Sequence, residues 1–271
     1  MTRRASEPLY ATAILAGRAV FGLLRLKPSV TGLKNMPDTG GAVLAITHFG
    51  YMDFALVEWM LWHKNKRHIR FMAKKGAFDQ KLVGVLLRGM RHISVDMKAG
   101  AEAYAQAVSA LKEGELLGVF PEGGVNASFT VRELKSGAIR MAAEAQVPVI
   151  PIAVWGGHRL LTKNHKPSLR EASGVPICFA VGEPFTVPGR PATGLPATQG
   201  EDAQSLTQAL HDTLQGLVDG LQAAYPVDGT GQWWQPRHLG GTAPTPEEAA
   251  VAEAERRRLR DAKSESAGTS A

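Results

Sequence analysis

Ala42-Val43-Leu44-Ala45-Ile46-Thr47-His48-Phe49-Gly50-Tyr51-Met52-Asp53 is the stretch from which the rest of the chain is read. Its first five residues form an uninterrupted apolar run, the pattern of a buried strand, and the apolar run from Phe54 to Trp62 that follows has the length and pattern of a helix. His48 then falls in a strand-to-helix turn. On a regular helix each residue turns by about 100°, so side chains five apart would lie about 140° from each other and could not meet. With His48 in the turn and Asp53 in the first helical turn, they can. The carboxylate would hold one imidazole nitrogen as a donor and leave the other free as a base. The plainer alternative makes Asp53 a helix cap and His48 a loop histidine.

Working outward, strands and helices alternate. Ile69 to Ala73 reads as a strand ending at Lys74-Lys75, Gln80 to Met90 as a helix, and His92 to Asp96 as a strand. Alanine-rich 99–112 reads as a helix stopped by Glu113-Gly114, Leu116 to Phe120 as a strand, and Leu134 to Gln146 as a helix. Val147 to Val154 is a strand that carries Pro148 and Pro151, a pattern suited to an edge or a bulge. This alternation predicts an α/β fold, a mainly parallel sheet flanked by helices on both faces, with ligands gathered at the carboxyl ends of the strands.

The flanks differ in character. Leu9 to Leu26 is apolar except for small residues, Arg18 and Arg25, and is too interrupted to cross a bilayer. It reads as an N-terminal membrane-surface helix with Tyr10, Ile14, Phe21 and Leu24 on one side, or as a helix packed on the domain. Pro188 to Gly200 is a loop, and Ser205 to Tyr225 is an amphipathic helix whose leucines belong to a core. Trp233-Trp234 can dock on the domain or touch lipid. Pro246 to Lys263 reads as a solvated helix in which Glu253 can pair with Arg257, and 264–271 as disorder. The expected organisation is a membrane-associating helix over 1–29, an α/β domain over 30–226, and a linker, charged helix and tail over 227–271.

Composition narrows the chemistry. The net charge of +6 is unevenly placed, with five basic residues against Glu7 in the first thirty, and no acid between Leu61 and Phe78 beside Lys64, Lys66, Arg67, Arg70, Lys74 and Lys75. Such clusters suit anionic head groups or phosphorylated substrates. No reader motif for nucleic acid accompanies them. The single Cys178, inside an apolar run, excludes an internal disulfide and a cysteine metal cluster, and no metal site is expected.

Phe120-Pro121-Glu122-Gly123-Gly124 ends a strand, so Glu122 emerges at the same sheet edge as His48, beside glycines that permit close approach of a substrate. With the His-x4-Asp block, this block and Val147-Pro148-Val149-Ile150-Pro151, the chain resembles the glycerolipid acyltransferase family of lysophosphatidic acid and glycerol-phosphate acyltransferases over roughly Val30 to Phe185. The resemblance implies an α/β sheet preceded by membrane-associating helices, on the cytoplasmic face of the cell membrane. It implies His48 and Asp53 as the catalytic pair, and Glu122 and Gly123 in the acceptor site beside Gly124. The donor would be acyl-CoA or acyl carrier protein as co-substrate, with no cofactor. Membrane lipid would be the partner and no nucleic acid would be bound.

Two positions depart from that family. Gly124-Val125 stands where the glutamate block usually continues with threonine and then arginine or serine, and Met97 stands where a phosphate-binding arginine is expected. Lys74, Arg91, Lys98, Arg132 and Lys135 are the nearby cations available as replacements, and Lys135-Ser136-Gly137 matches the family's Lys-x-Gly. Two rival readings follow from the departures. One is acyl transfer to a non-phosphorylated lipid or glycolipid, and the other is a membrane-binding protein that has lost catalysis.

Overall fold

Continuous apolar runs become the middle of the sheet. β2 (Ala42–Ile46), β5 (Leu116–Val119) and β6 (Val149–Trp155) are buried at every residue. The structure, a computed structural model, describes residues 7–96, 99–163, 165–187 and 201–268. Among these, seven strands lie in the order β1-β7-β6-β2-β5-β3-β4, with β1 (Lys27–Thr31), β3 (Ile69–Lys74), β4 (Ile93–Val95) and β7 (Pro176–Val181) completing the sheet. All pairings are parallel except β6 with β7. The expected α/β class with a mainly parallel sheet is what forms.

Successive strand residues face opposite layers, which is why these runs have no polar alternation. Val43, Ala45, Leu117, Val149 and Ala153 pack with helices on one face, whereas Leu44, Ile46, Leu116, Ile150 and Ile152 pack on the other. The second face is covered by α1 (Pro8–Leu23) and α2 (Asp53–Asn65). After α3 (Lys75–Phe78) and α4 (Lys81–Gly89), the first face is covered by α5 (Gly100–Lys112) and α6 (Gly137–Ala145) and, beyond the short α7 (Leu169–Ala172), by α8 (Glu201–Ala223). Two strand expectations change. β1 escaped the sequence reading because its residues are largely exposed and only modestly apolar. β6 lies inside the sheet, not at its edge, and the bulge reading applies. Between the pairings Val149 to Phe185 and Ile152 to Val181 the partner carries one residue more than β6, and Pro151, which has no N–H to offer there, accepts the Gly182 amide at 2.9 Å.

The N-terminal helix uses its predicted apolar side against the domain. Tyr10, Ile14 and Phe21 are buried, and Phe21 meets Trp59 of α2. The Tyr10 hydroxyl bridges the Ile69 carbonyl (2.7 Å) and Glu58 Oε2 (3.0 Å), and Arg70 binds Glu7. Any contact of α1 with lipid therefore belongs to its other side, where Leu15, Val20 and Leu23 are exposed.

The C-terminal region is docked. Trp234 is buried, and Trp233 stacks on His165 at 3.6 Å between centroids. α9 (Pro246–Gly268) runs five residues past its expected end, and Glu253 reaches Lys163 of the domain. The loop expected over 188–200 and residues 269–271 lie outside the described residues.

Gly118 of β5 fixes what stands above it. A Cβ there would sit 2.5 Å from Phe71 Cε1 and 2.8 Å from Ile69 Cγ2. Gly118→Ala is expected to lower stability by about 1–3 kcal/mol through overpacking, read as a fall in the urea midpoint with an unchanged denaturant slope.

Candidate active site

β2 delivers Thr47 and His48 to the carboxyl edge of the sheet. Thr47 Oγ1 accepts the Val154 amide at 3.1 Å and ties the end of the strand to β6. The chain then turns through Phe49-Gly50-Tyr51-Met52 into α2, whose first residue is Asp53. Gly50 is required by close approach: a Cβ on it would lie 2.9 Å from the Gly157 carbonyl oxygen and the His158 backbone.

Asp53 does not cap the helix. Its Oδ2 accepts the Gly50 N–H at 2.9 Å and lies 3.2 Å from His48 Nδ1. An ionised carboxylate can only accept, so Nδ1 carries the proton and Nε2 keeps a free lone pair. Asp53 is fully enclosed, while the His48 side chain keeps 15% of its surface open. Burial dominates the Asp53 carboxyl and raises its pKa; the His48 hydrogen bond and charge, then the Gly50 and Phe49 amides, oppose it. His48 lies flat on Phe120, with centroids 3.9 Å apart, and Phe120 stacks on Phe71 at 6.0 Å.

Glu122 braces the histidine from the other side. Its Oε1 accepts the His48 backbone N–H at 2.9 Å and its Oε2 accepts from Asn126 Nδ2 at 3.0 Å, while the Asn126 amide donates to the His48 carbonyl at 2.8 Å. Burial raises the Glu122 pKa against these hydrogen bonds and the Arg132 charge. Both carboxyl oxygens are thus engaged within the protein. Sequence reasoning assigned Glu122 to the acceptor and had no signal for Asn126, whose importance lies in contacts across the loop.

The cations separate into groups. The Lys135 ammonium nitrogen lies 3.1 Å from where a Gly123 Cβ would be, directly over that exposed glycine. Arg132 spans the loop, donating through Nε to the Glu122 carbonyl (3.1 Å) and through Nη2 to the Gly124 carbonyl (2.6 Å). Lys74 is exposed at the carboxyl end of β3, on the same side of the sheet. Arg91 is not brought to the site: it precedes β4 and pairs with Glu7 and Glu115 at the amino end of the strands. Lys98 and Met97 lie outside the described residues. The paired glycine amides also divide. Gly123 N–H is spent on the Phe120 carbonyl at 2.9 Å, whereas Gly124 N–H makes no hydrogen bond among the described residues. No group of three or more histidine, cysteine or acidic residues with metal-binding geometry occurs among the described residues.

Residues 27–155 match the family model described as Acyltransferase. Over 135 residues the chain is 34% identical to 1-acyl-sn-glycerol-3-phosphate acyltransferase of Bacillus subtilis, covering 49% of this chain and 65% of that one. Over 145 residues it is 26% identical to the enzyme of the same name from Borreliella burgdorferi, covering 52% of this chain and 56% of that one. The crystal structure of the lysophosphatidic acid acyltransferase PlsC from Thermotoga maritima superposes with a TM-score of 0.62 at 21% identity, covering 83% of this chain and 86% of that one, and shares its fold.

The geometry generates opposite effects on activity and stability at one residue. His48→Ala is expected to abolish turnover, and Asp53→Asn to lower kcat by about 10²-fold or more, because asparagine can keep the Gly50 and His48 hydrogen bonds but not the charge. Since the folded-state pKa of Asp53 is raised, its ionisation destabilises the fold, a penalty absent below the unfolded pKa and complete once pH has risen through the folded value. Asp53→Asn should therefore melt no lower than wild type at neutral pH, with its advantage shrinking in acid. Melting midpoints across pH, beside kcat, check both signs.

Proposed function

We propose that this chain belongs to the glycerolipid acyltransferase family and moves a fatty acyl group from a thioester of coenzyme A or acyl carrier protein to a hydroxyl of lysophosphatidic acid or a related lysolipid, in phospholipid synthesis. The observation that carries this reading is the His48–Asp53 pair, with Nδ1 held at 3.2 Å in a side chain partly open to solvent, at an edge where Glu122, next to Gly123, holds the His48 backbone. Nε2 takes the proton of the acceptor hydroxyl while its oxygen attacks the thioester carbonyl. Asp53 stabilises the imidazolium. The Gly124 N–H is the donor for the tetrahedral oxyanion. Collapse expels the thiolate, which takes the proton back from the imidazolium, and the ester leaves without a covalent acyl-enzyme.

An apolar cleft of about 100 Å³ beside this edge suits the acyl chain. Ile14, Gly17, Phe21, Phe54, Trp59 and Phe71 line it, and Phe71 is one stacked ring, Phe120, away from His48. The acceptor phosphate is assigned to Lys135 first. A second reading, a non-phosphorylated lipid acceptor, is favoured by Gly124-Val125 and by the Arg132 guanidinium being occupied with loop carbonyls. Lys135→Ala separates the two. It should raise the acceptor KM for lysophosphatidic acid at least tenfold and leave that for a monoacylglycerol within twofold; equal effects on both would favour the second reading.

The outward faces of α1 and α4 support peripheral membrane docking. Leu82, Val83, Val85 and Leu86 are all exposed on one side of α4, and the exposed Leu9 of α1 lies over Gly89 at the end of that helix. Arg18, Lys81 and Arg88 are exposed on the same elements, and Lys75 is exposed on α3 just before α4. No helix among the described residues is long and apolar enough to cross a membrane. Burying one leucine contributes about 1.5–3 kcal/mol, so Leu82→Glu or Leu86→Glu should weaken sedimentation with anionic vesicles at least tenfold. Turnover of a monodisperse short-chain acceptor should persist. Undiminished vesicle binding by both variants would remove this docking face.

A further inference from the structure

The catalytic turn rests on a segment that lies outside the residues matched by the acyltransferase family model, and that segment is pinned in turn by the C-terminal strap. Tyr51 N–H donates to the Leu161 carbonyl at 2.9 Å, and Thr162 Oγ1 donates to the Phe49 carbonyl at 2.6 Å. Gly157 lies against Asp53: a Cβ on it would stand 2.7 Å from Asp53 Oδ1, the carboxyl oxygen that has no hydrogen-bond partner. His158 lies behind Gly50. The segment 157–162 is therefore the floor under Phe49, Gly50, Tyr51 and Asp53.

His158 is completely buried and packs against Phe129 (4.3 Å) and Trp155 (4.5 Å). Burial pushes its pKa down to about 3, so the ring is neutral. Its Nε2 lies 3.1 Å from the Trp234 carbonyl, which can only accept, so Nε2 carries the proton and Nδ1 is bare and unpartnered. One buried, directed hydrogen bond thus joins the floor to the strap. The strap grips the floor once more, through the Arg159 guanidinium 4.5 Å from the Trp234 ring, and Trp233 stacks on His165 beyond the floor.

We propose that the Trp234 strap and His158 form a positioning element for the acyl-transfer reaction, holding the floor so that Asp53 stays aligned with His48. Both hydrogen bonds of this carboxylate fall on Oδ2, and the Gly157 backbone packs against the unpartnered Oδ1. Neither Trp234 nor His158 touches the reacting atoms, and both act through Asp53. The inference rests on the catalytic role of His48 and Asp53, and one arm of its test is independent of activity.

His158→Phe keeps the aromatic packing and removes the donor, and Trp234→Ala removes the wedge. The first is the variant least expected to impair folding, because a ring still fills the space beside Phe129 and Trp155 and one hydrogen bond is lost. At a temperature well below melting, both should lower kcat about tenfold with donor and acceptor KM within twofold, and Trp234→Phe should restore most of it. In an Asp53→Asn background the same substitutions should change kcat by less than twofold. Amide exchange at Gly50, whose N–H is held by Asp53, should accelerate at least tenfold in His158→Phe while core amides of β2 and β5 keep their protection. That arm reads alignment even for a protein that transfers no acyl group to the acceptors offered. Unchanged Gly50 exchange in His158→Phe would overturn the proposal. So would losses of kcat that add fully to that of Asp53→Asn, since they would show that the strap acts elsewhere.

Discussion

A carboxylate fully enclosed in protein is the constraint on which this site depends. Asp53 gives up hydration and recovers only part of the loss from two donors on one oxygen, the Gly50 amide and His48. Its raised pKa expresses that imbalance. The turn around it is built to tolerate the burial. Gly50 lets the chain pass against 157–158, Gly157 leaves space for the unpartnered oxygen, and Thr47 fastens the strand from which the turn departs. The same enclosure makes the interaction useful, because a charge held away from water acts strongly on an imidazolium that forms beside it.

Glu122 repeats the device on the opposite side of His48. It too is buried with a raised pKa, but its oxygens hold the His48 backbone and Asn126. Two desolvated carboxylates thus divide the work, one fixing the ring and the other the main chain. Glu58 is a third, and it serves attachment of the N-terminal helix through Tyr10. The histidine is located from both sides before any substrate arrives. Under the proposed reading, that is the condition in which a general base contributes its full effect.

Much of this was legible because local pattern and tertiary role coincide. Val43 to Ile46 and Leu116 to Val119 are buried on both faces, so their continuous apolar runs admitted one interpretation. The His-x4-Asp spacing announced a pair that meets only in a turn. Illegible features were those decided by distant partners. β1 is a short edge strand whose pairing with β7 joins residues nearly 150 positions apart, and nothing in its own residues reports it. α4 carries a helical apolar stripe that normally signals a core, yet it faces outward. Arg91 follows a helix on the expected side of the motif in sequence but sits at the other end of the strand in space, because the chain reverses between α4 and β4. Gly123 and Gly124 look equivalent, and only the turn geometry shows that one amide is already taken.

The loop after β5 has a further consequence for acceptor choice. An arginine in the glutamate block would present a planar fork to a phosphate. Here the guanidinium in the neighbourhood, Arg132, arrives from eight residues beyond Gly124 and bonds the Glu122 and Gly124 carbonyls, so its donors stiffen the loop. Under the proposed reading, recognition then falls to Lys135, an exposed point charge on a flexible stem above a glycine with no side chain to fix its direction. A point charge rewards negative charge over a range of positions, whereas a fork rewards one geometry. Under that reading the site favours anionic acceptors by charge and discriminates weakly among their shapes, and the apolar cleft beside Phe71 is the stronger filter on substrate.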